Sequence, residues 1–237
     1  MCTVVIRVPE PGLGQVRLLA VRDEDPDRPW LPLGHWWPEQ PQLEGIRDQL
    51  AGGAWLAHDD HRLAVLLNRA GGTDLEVPTS RGSLVLGSLT GAELPTPLTT
   101  LGFNLVEASA GGVRITSWDG GTPRITDLAP GTHMIAHEDV DDPATARIAA
   151  WLDAFAAAPT EGNHWWEAWV RLLKETAELP SDDDRAIVRD NRAHGYPTLT
   201  LLVCVATIGP EGVTAEMATF DEPGRWNDLD LSGADGN

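Results

Sequence analysis

Two short runs near the start constrain this chain most. TVVIRV (3–8) and VRLLAVR (16–22) are dense in β-branched and aliphatic residues, and PEPGLG lies between them. Runs of that length and composition predict strands, and the proline and glycines predict the turn that joins them. In a hairpin symmetric about Gly12, opposed residues sum to about 24, within a register slip or two. That sets Cys2 opposite or close to Arg22. Both strands read as buried, so they need cover on both faces.

The remaining pattern supplies that cover. DEDPDRPWLPLGHWWPEQPQLEG is too rich in proline to be regular throughout. It predicts a packed loop over 26–45 anchored by Trp30, Trp36 and Trp37. GGAWLAHDDHRLAVLLNR predicts a hairpin turning at Asp59–Asp60, with a return strand Leu63–Asn68. Short strands are expected around 83–87, 103–107, 112–118 and 122–128, between glycines and prolines. DDPATARIAAWLDAFAAAP predicts a helix with Asp141 or Asp142 as N-cap, Pro143 at the first helical position, and Ile148, Leu152 and Phe155 on one face. HWWEAWVRLLKETAELP predicts a second helix, with Trp165, Trp169, Leu172, Leu173 and Thr176 inward. TLTLLVCVATI (198–208), a GPEG turn and VTAEMATF (213–220) close the chain as a hairpin. This gives one domain over 1–220 and a loose acidic tail over 221–237. Strands, then helices, then strands make an α+β layered architecture with antiparallel sheets rather than alternating βαβ units.

Composition excludes several classes. The 237 residues can bury a full core. A net charge of −19 argues against nucleic acid and anionic lipid as partners. No apolar run approaches the ~18 residues of a membrane span, and the start lacks the pattern of a signal peptide. Two cysteines, Cys2 and Cys204, make no disulfide framework, so a cytoplasmic location with free thiols is expected. Ten tryptophans beside one tyrosine and three phenylalanines serve as core, or as walls of an apolar pocket.

Cys2 is the residue with the most chemistry. Once Met1 is removed it carries a thiol of ordinary pKa ~8.5 and an α-amine of ~7.7–8. The amine can take the thiol proton, so one residue holds nucleophile and base. Arg22 would favour the thiolate, and Asp23 could hold that guanidinium or bond the amine. The competing role for Cys2 is simple packing. Asn104, in GFNL, either lines a site or satisfies a turn. HDDH (58–61) falls at a predicted turn, and HMIAH (133–137) lacks the glutamate of a zincin helix, so no metal site is expected. GLG (12–14) is a turn and not a dinucleotide loop.

MCT, VRDED, DRP (27–29), GGAWL, LLN (66–68), SRG (80–82), GFNL and PGTH (130–133) recur in an order that resembles the NRDE family. The likeness covers roughly residues 1–140. It implies a branch of the N-terminal-nucleophile hydrolases, with a four-layer αββα sandwich. The start is similar to the cysteine-type members, the bile-salt hydrolases and penicillin V acylases, where such a cysteine attacks an amide carbonyl. An arginine and an aspartate then fall on Arg22 and on Asp23 or Asp25. An oxyanion-hole asparagine falls on Asn68. The chain departs from the pattern at Val21, where the tetrad has asparagine, and at His137, where a further site asparagine is expected. The resemblance implies an amidohydrolase of small non-peptide linear amides that needs no cofactor. It also allows a non-catalytic carrier of haem or an acyl ligand, with Cys2, His133, Met134 or His137 as axial ligand and the tryptophans as walls.

Overall fold

Alternation along the first two strands sets the layers in the computed structural model, which describes residues 2–231. In β1 (Thr3–Val8) and β2 (Val16–Glu24), Val4, Ile6, Leu18 and Ala20 enter one apolar cluster, and Val5, Leu19 and Val21 enter another. Strands buried on both faces must be covered twice. The first cluster is closed by a second sheet and the other by helices.

The five-stranded sheet runs β10 (Gly131–Ile135), β1, β2, β11 (Leu199–Gly209) and β12 (Gly212–Thr219). The seven-stranded sheet runs β3 (Trp30–Gly34), β4 (Glu44–Asp48), β5 (Ala54–His58), β6 (Arg62–Gly72), β7 (Leu101–Ser109), β8 (Gly112–Trp118) and β9 (Arg124–Asp127). Every pairing is antiparallel. Leu63, Val65 and Leu67 of β6 meet Val4, Ile6 and Leu18 between the sheets. Helices α2 (Ala146–Ala157) and α3 (Glu167–Thr176) lay Ile148, Phe155, Trp169 and Leu173 on the outer face of the five-stranded sheet. Helix α1 (Gly82–Leu89) lays Leu84, Val85 and Leu89 on the outer face of the other. The result is the expected α+β sandwich, in the order helix, sheet, sheet, helix.

Register positions the start of the chain. Thr3 pairs with Val21 and Arg7 with Arg17, so the hairpin has the symmetry about Gly12 that its turn predicted. One step further sets Cys2 opposite Arg22. On the other edge Val4 pairs with Ile135 and Val8 with Gly131. That register, continued two residues beyond Val4, runs to Cys2 and His137. Across β2, Asp23 pairs with Thr200 and Arg22 with Leu202, so Leu201 is the extra residue of a bulge. Bulges re-aim side chains, here beside the first residues of the chain.

Some elements differ from expectation. Residues 83–87 belong to α1, not to a strand: a short LVL run reads either way, and only its packing decides. The proline-rich stretch contributes β3 and the start of β4; Pro32 is tolerated because β3 is an edge strand. Helix α2 starts at Ala146, with Thr145 as N-cap, because both aspartates are engaged before it. Asp141 sits at φ 57° with its Oδ1 accepting from Met134 N, and Asp142 Oδ1 accepts from Ala144 N. Of the stretch expected to be a loose tail, Trp226, Leu229 and Leu231 pack against the α2–α3 layer; residues 232–237 lie outside the described residues.

Helix α1 rests directly on β5. A Cβ at Gly53 would meet the Gly82 backbone at 2.5 Å, which explains a glycine in both GGAWL and SRG. Gly53→Ala should lower the urea midpoint by the equivalent of about 1–3 kcal/mol. Gly87→Ala, whose Cβ would find only an ordinary contact at 3.7 Å, should not lower it.

Candidate functional site

Cys2 is buried between the sheets, and its Sγ lies 3.6 Å from the Asp23 carbonyl, to which it donates. Burial first, and the Asp23 carboxylate second, push the thiol pKa up, while Arg22 pulls the other way. With the chain unprocessed the sulfur is therefore a thiol at neutral pH.

The two residues opposite it face different layers, because neighbours on a strand point to opposite faces. Arg22 points between the sheets and is 2% exposed. Its guanidinium lies 5.8 Å from the ring centroids of both Trp30 and Trp55, and its Nη2 lies 3.5 Å from Glu24. Its Nε and Nη1 have no hydrogen-bond partner. Burial pulls its pKa down, against the Glu24 and Cys2 charges.

Asp23 points toward the helices. Thr200 Oγ1 donates to its Oδ1 at 2.7 Å, and Asn191 Nδ2 donates to its Oδ2 at 3.1 Å. The bulge brings up Thr200; a 3₁₀ turn, Asn191–His194, brings up Asn191. Two buried arginines share this layer. Arg147, in the first turn of α2, donates from Nη1 to Thr3 Oγ1 at 3.0 Å. Burial and then the Arg189 charge bring its pKa down to about 10, with Asp23 opposing. Arg189 Nη2 pairs with Asp184 at 3.1 Å.

His137 lines a 250 Å³ cavity with Arg147, Arg189 and Asn191. Burial, then Arg147 and then Arg189 lower its pKa to about 4, so its imidazole is neutral at pH 7. Asn104 holds it in place. It lies inside β7, wholly buried and not in a turn, and its Nδ2 donates to the carbonyls of Ala136 (3.3 Å) and Glu138 (2.9 Å) on either side of His137. Asn104 is thus a positioning residue.

The structure gathers Cys2, Arg22, Asp23 and His137 around the start of the chain. Asn68 is exposed at the rim of a separate 450 Å³ cavity that Arg22 and Trp55 also line. Asp25 belongs to a turn, its Oδ1 accepting from Asp27 N at 3.0 Å, so Asp23 is the buried carboxylate of the pair considered. His133 stays apart. It pairs with Ile6, its Nδ1 is bonded to Asp141 Oδ2 at 2.6 Å, and its Nε2 lies 2.9 Å from the Ala129 carbonyl. Met134 is wholly buried under α2 and α3. Asp59 of HDDH caps its turn, accepting from the backbone of His61 and Arg62. Among the described residues no group of three or more His, Cys, Asp and Glu could hold a metal, and no helix is long and apolar enough to cross a membrane.

Sequence reading missed Arg81, Arg147, Arg189, Asn191 and Thr200. An arginine on the core-facing side of α2 was the one available signal for Arg147. Arg81 was visible only as part of SRG.

The family model described as Transport and Golgi organisation 2 matches residues 1–199. The chain belongs to this family. No curated protein matches it. The Transport and Golgi organisation 2 match bears out the NRDE resemblance and extends it from about residue 140 through both α2 and α3 to the first residue of β11. It takes in every residue just described around Cys2 except Thr200, one position beyond its end.

The His137 shift carries a signed pH dependence. Its folded pKa, about 4, lies below the ordinary 6.5, so between those values the unfolded chain binds the extra proton. Its contribution to stability is complete above about pH 6.5 and is lost as the pH falls through 4. Denaturant midpoints should drop over that window, and His137→Gln should flatten the drop.

Proposed function

We propose that the protein is a cysteine amidohydrolase of the N-terminal-nucleophile type, acting on a small non-peptide linear amide. One observation carries this reading: the sulfur at the head of the chain has a buried guanidinium opposite it on one face and an oriented carboxylate on the other. Simple packing of Cys2 would require neither.

The raised thiol pKa means that Cys2 needs a base. Removal of Met1 would supply one, the α-amine of Cys2 itself. The amine takes the thiol proton and the sulfur attacks the amide carbonyl. The resulting oxyanion falls in the field of Arg22, and Asn68 is a further donor if the substrate reaches the cavity it lines. The α-ammonium then protonates the departing amine, leaving a thioester. Water attacks the thioester, giving its proton to the α-amine, and the acid leaves with the thiol restored. The balance is amide plus water to acid plus amine. Asp23, held by Thr200 and Asn191, is suited to orient the ammonium.

A non-catalytic carrier of haem or an acyl ligand is the second reading. Neutral His137, whose buried Nδ1 has no partner, favours it. His133 and Met134, engaged as described above, do not contribute to it.

Intact-mass analysis should find Met1 absent. An electrophilic amide or β-lactone probe should then label Cys2. It should not label Cys204, which is fully buried, with its thiol pushed up to about 12 by burial and then by Glu216. Cys2→Ala should abolish both labelling and turnover. Retention of Met1 would remove the base and with it the hydrolase reading.

A further inference from the structure

The cavity beside Arg22 is built for a charge that the chain does not supply. It measures 450 Å³ and lies where the ends of β2, β5 and β6 meet the first turn of α1. Its charged lining is Arg22, Arg28 and Arg81 against Glu24 and Asp48, three cations against two carboxylates, an excess of one positive charge. Arg28 is spent on Asp48, to which its Nε is hydrogen-bonded. Arg81 has no carboxylate partner among the described residues; its Nη1 donates only to the Gly102 carbonyl at 2.9 Å. Arg22 turns two buried N–H groups, Nε and Nη1, to no acceptor. A guanidinium left in this state is costly, because burial removes water without returning a partner.

The first turn of α1 adds a helix start to the same cavity. Ser80, Arg81 and Gly82 line the cavity, the N-cap Arg81 makes no side-chain cap, the Gly82 N–H donates only to the neighbouring Ser80 hydroxyl at 3.3 Å, and the first turn holds no acidic residue. Helix starts favour anions, and here the orphan donors of Arg22 point to one independently. Trp55 supplies an apolar wall.

We propose that this cavity binds the carboxylate of a small organic acid, held between Arg22 and Arg81 at the start of α1. The excess of one charge matches a monoanion and leaves a dianionic phosphate undercompensated. That the carboxylate belongs to the substrate, as a charged end of the amide, rests on the hydrolase reading above. That the cavity binds it does not.

Calorimetry on the Cys2→Ala chain separates the two. Benzoate and benzamide have nearly the same shape and differ in charge. Benzoate should bind about tenfold or more tightly than benzamide, as expected for a charge-assisted bidentate contact. Arg81→Gln should bring the two within about twofold, and Arg81→Lys should keep part of the preference, with both variants checked for an unchanged denaturant midpoint. Inorganic phosphate should displace benzoate only at about tenfold higher concentration. Equal binding of benzoate and benzamide by the Cys2→Ala chain would overturn the assignment whatever the variants do. Displacement by phosphate at equal concentration would overturn the monoanion. Loss of hydrolysis in the processed chain, with the benzoate preference intact, would sink the enzyme and leave the carboxylate site.

Discussion

Burial of β2 on both faces is the constraint from which the rest follows. A strand end covered on one side only would leave either Arg22 or Asp23 in water, where a guanidinium or a carboxylate has little effect on a neighbour. With a sheet over one face and helices over the other, consecutive residues become two buried charges of opposite sign in two separate layers. The hairpin register then sets Cys2 at the boundary between them. Adjacent positions on one strand thus supply both charges.

Each charge is held differently, and the difference has consequences. Asp23 is fixed by two side-chain donors reached through a bulge and a 3₁₀ turn, so its geometry is rigid and its hydrogen-bonding capacity is largely used. Arg22 is flanked by two indoles that hold its plane through π contacts and leave its N–H groups available. A fixed carboxylate suits orienting a group of the protein itself. An aromatic-flanked guanidinium with spare donors suits receiving something from outside.

What the sequence made legible follows the range of the interactions. The hairpin register could be read because a turn and two flanking runs determine it locally. Cys2 and Arg22 follow from that arithmetic, and the motif order points to the same two and to Asp23 or Asp25, a choice that the burial of Asp23 decides. Asn104 could not be assigned, since nothing in GFNL says that its amide will clamp a segment thirty-odd residues later. Arg189 was invisible for a similar reason, and Arg147 showed only as an arginine on the core-facing side of α2: an arginine is placed in a core by its distant partners, not by its neighbours. Helix α1 was misread because LVL is apolar in either periodicity, and only the backbone contact of Gly53 with Gly82 distinguishes the two.

The charge distribution adds a last step. The chain has a net charge of −19, yet its buried arginines gather around Cys2. An acidic exterior repels anions at long range, over a Debye length of about 8–10 Å. Buried guanidiniums attract them at contact, where screening is weak. A ligand entering here must therefore satisfy the interior in detail, since the surface gives it no help in arriving. Neutral molecules and polyanions both fare worse than a small monoanion under those two conditions, the first for want of the contact, the second because repulsion grows with their charge while the cavity offers one compensating charge. Selectivity in this fold can thus come from opposing inside to outside, with no lid or moving part required.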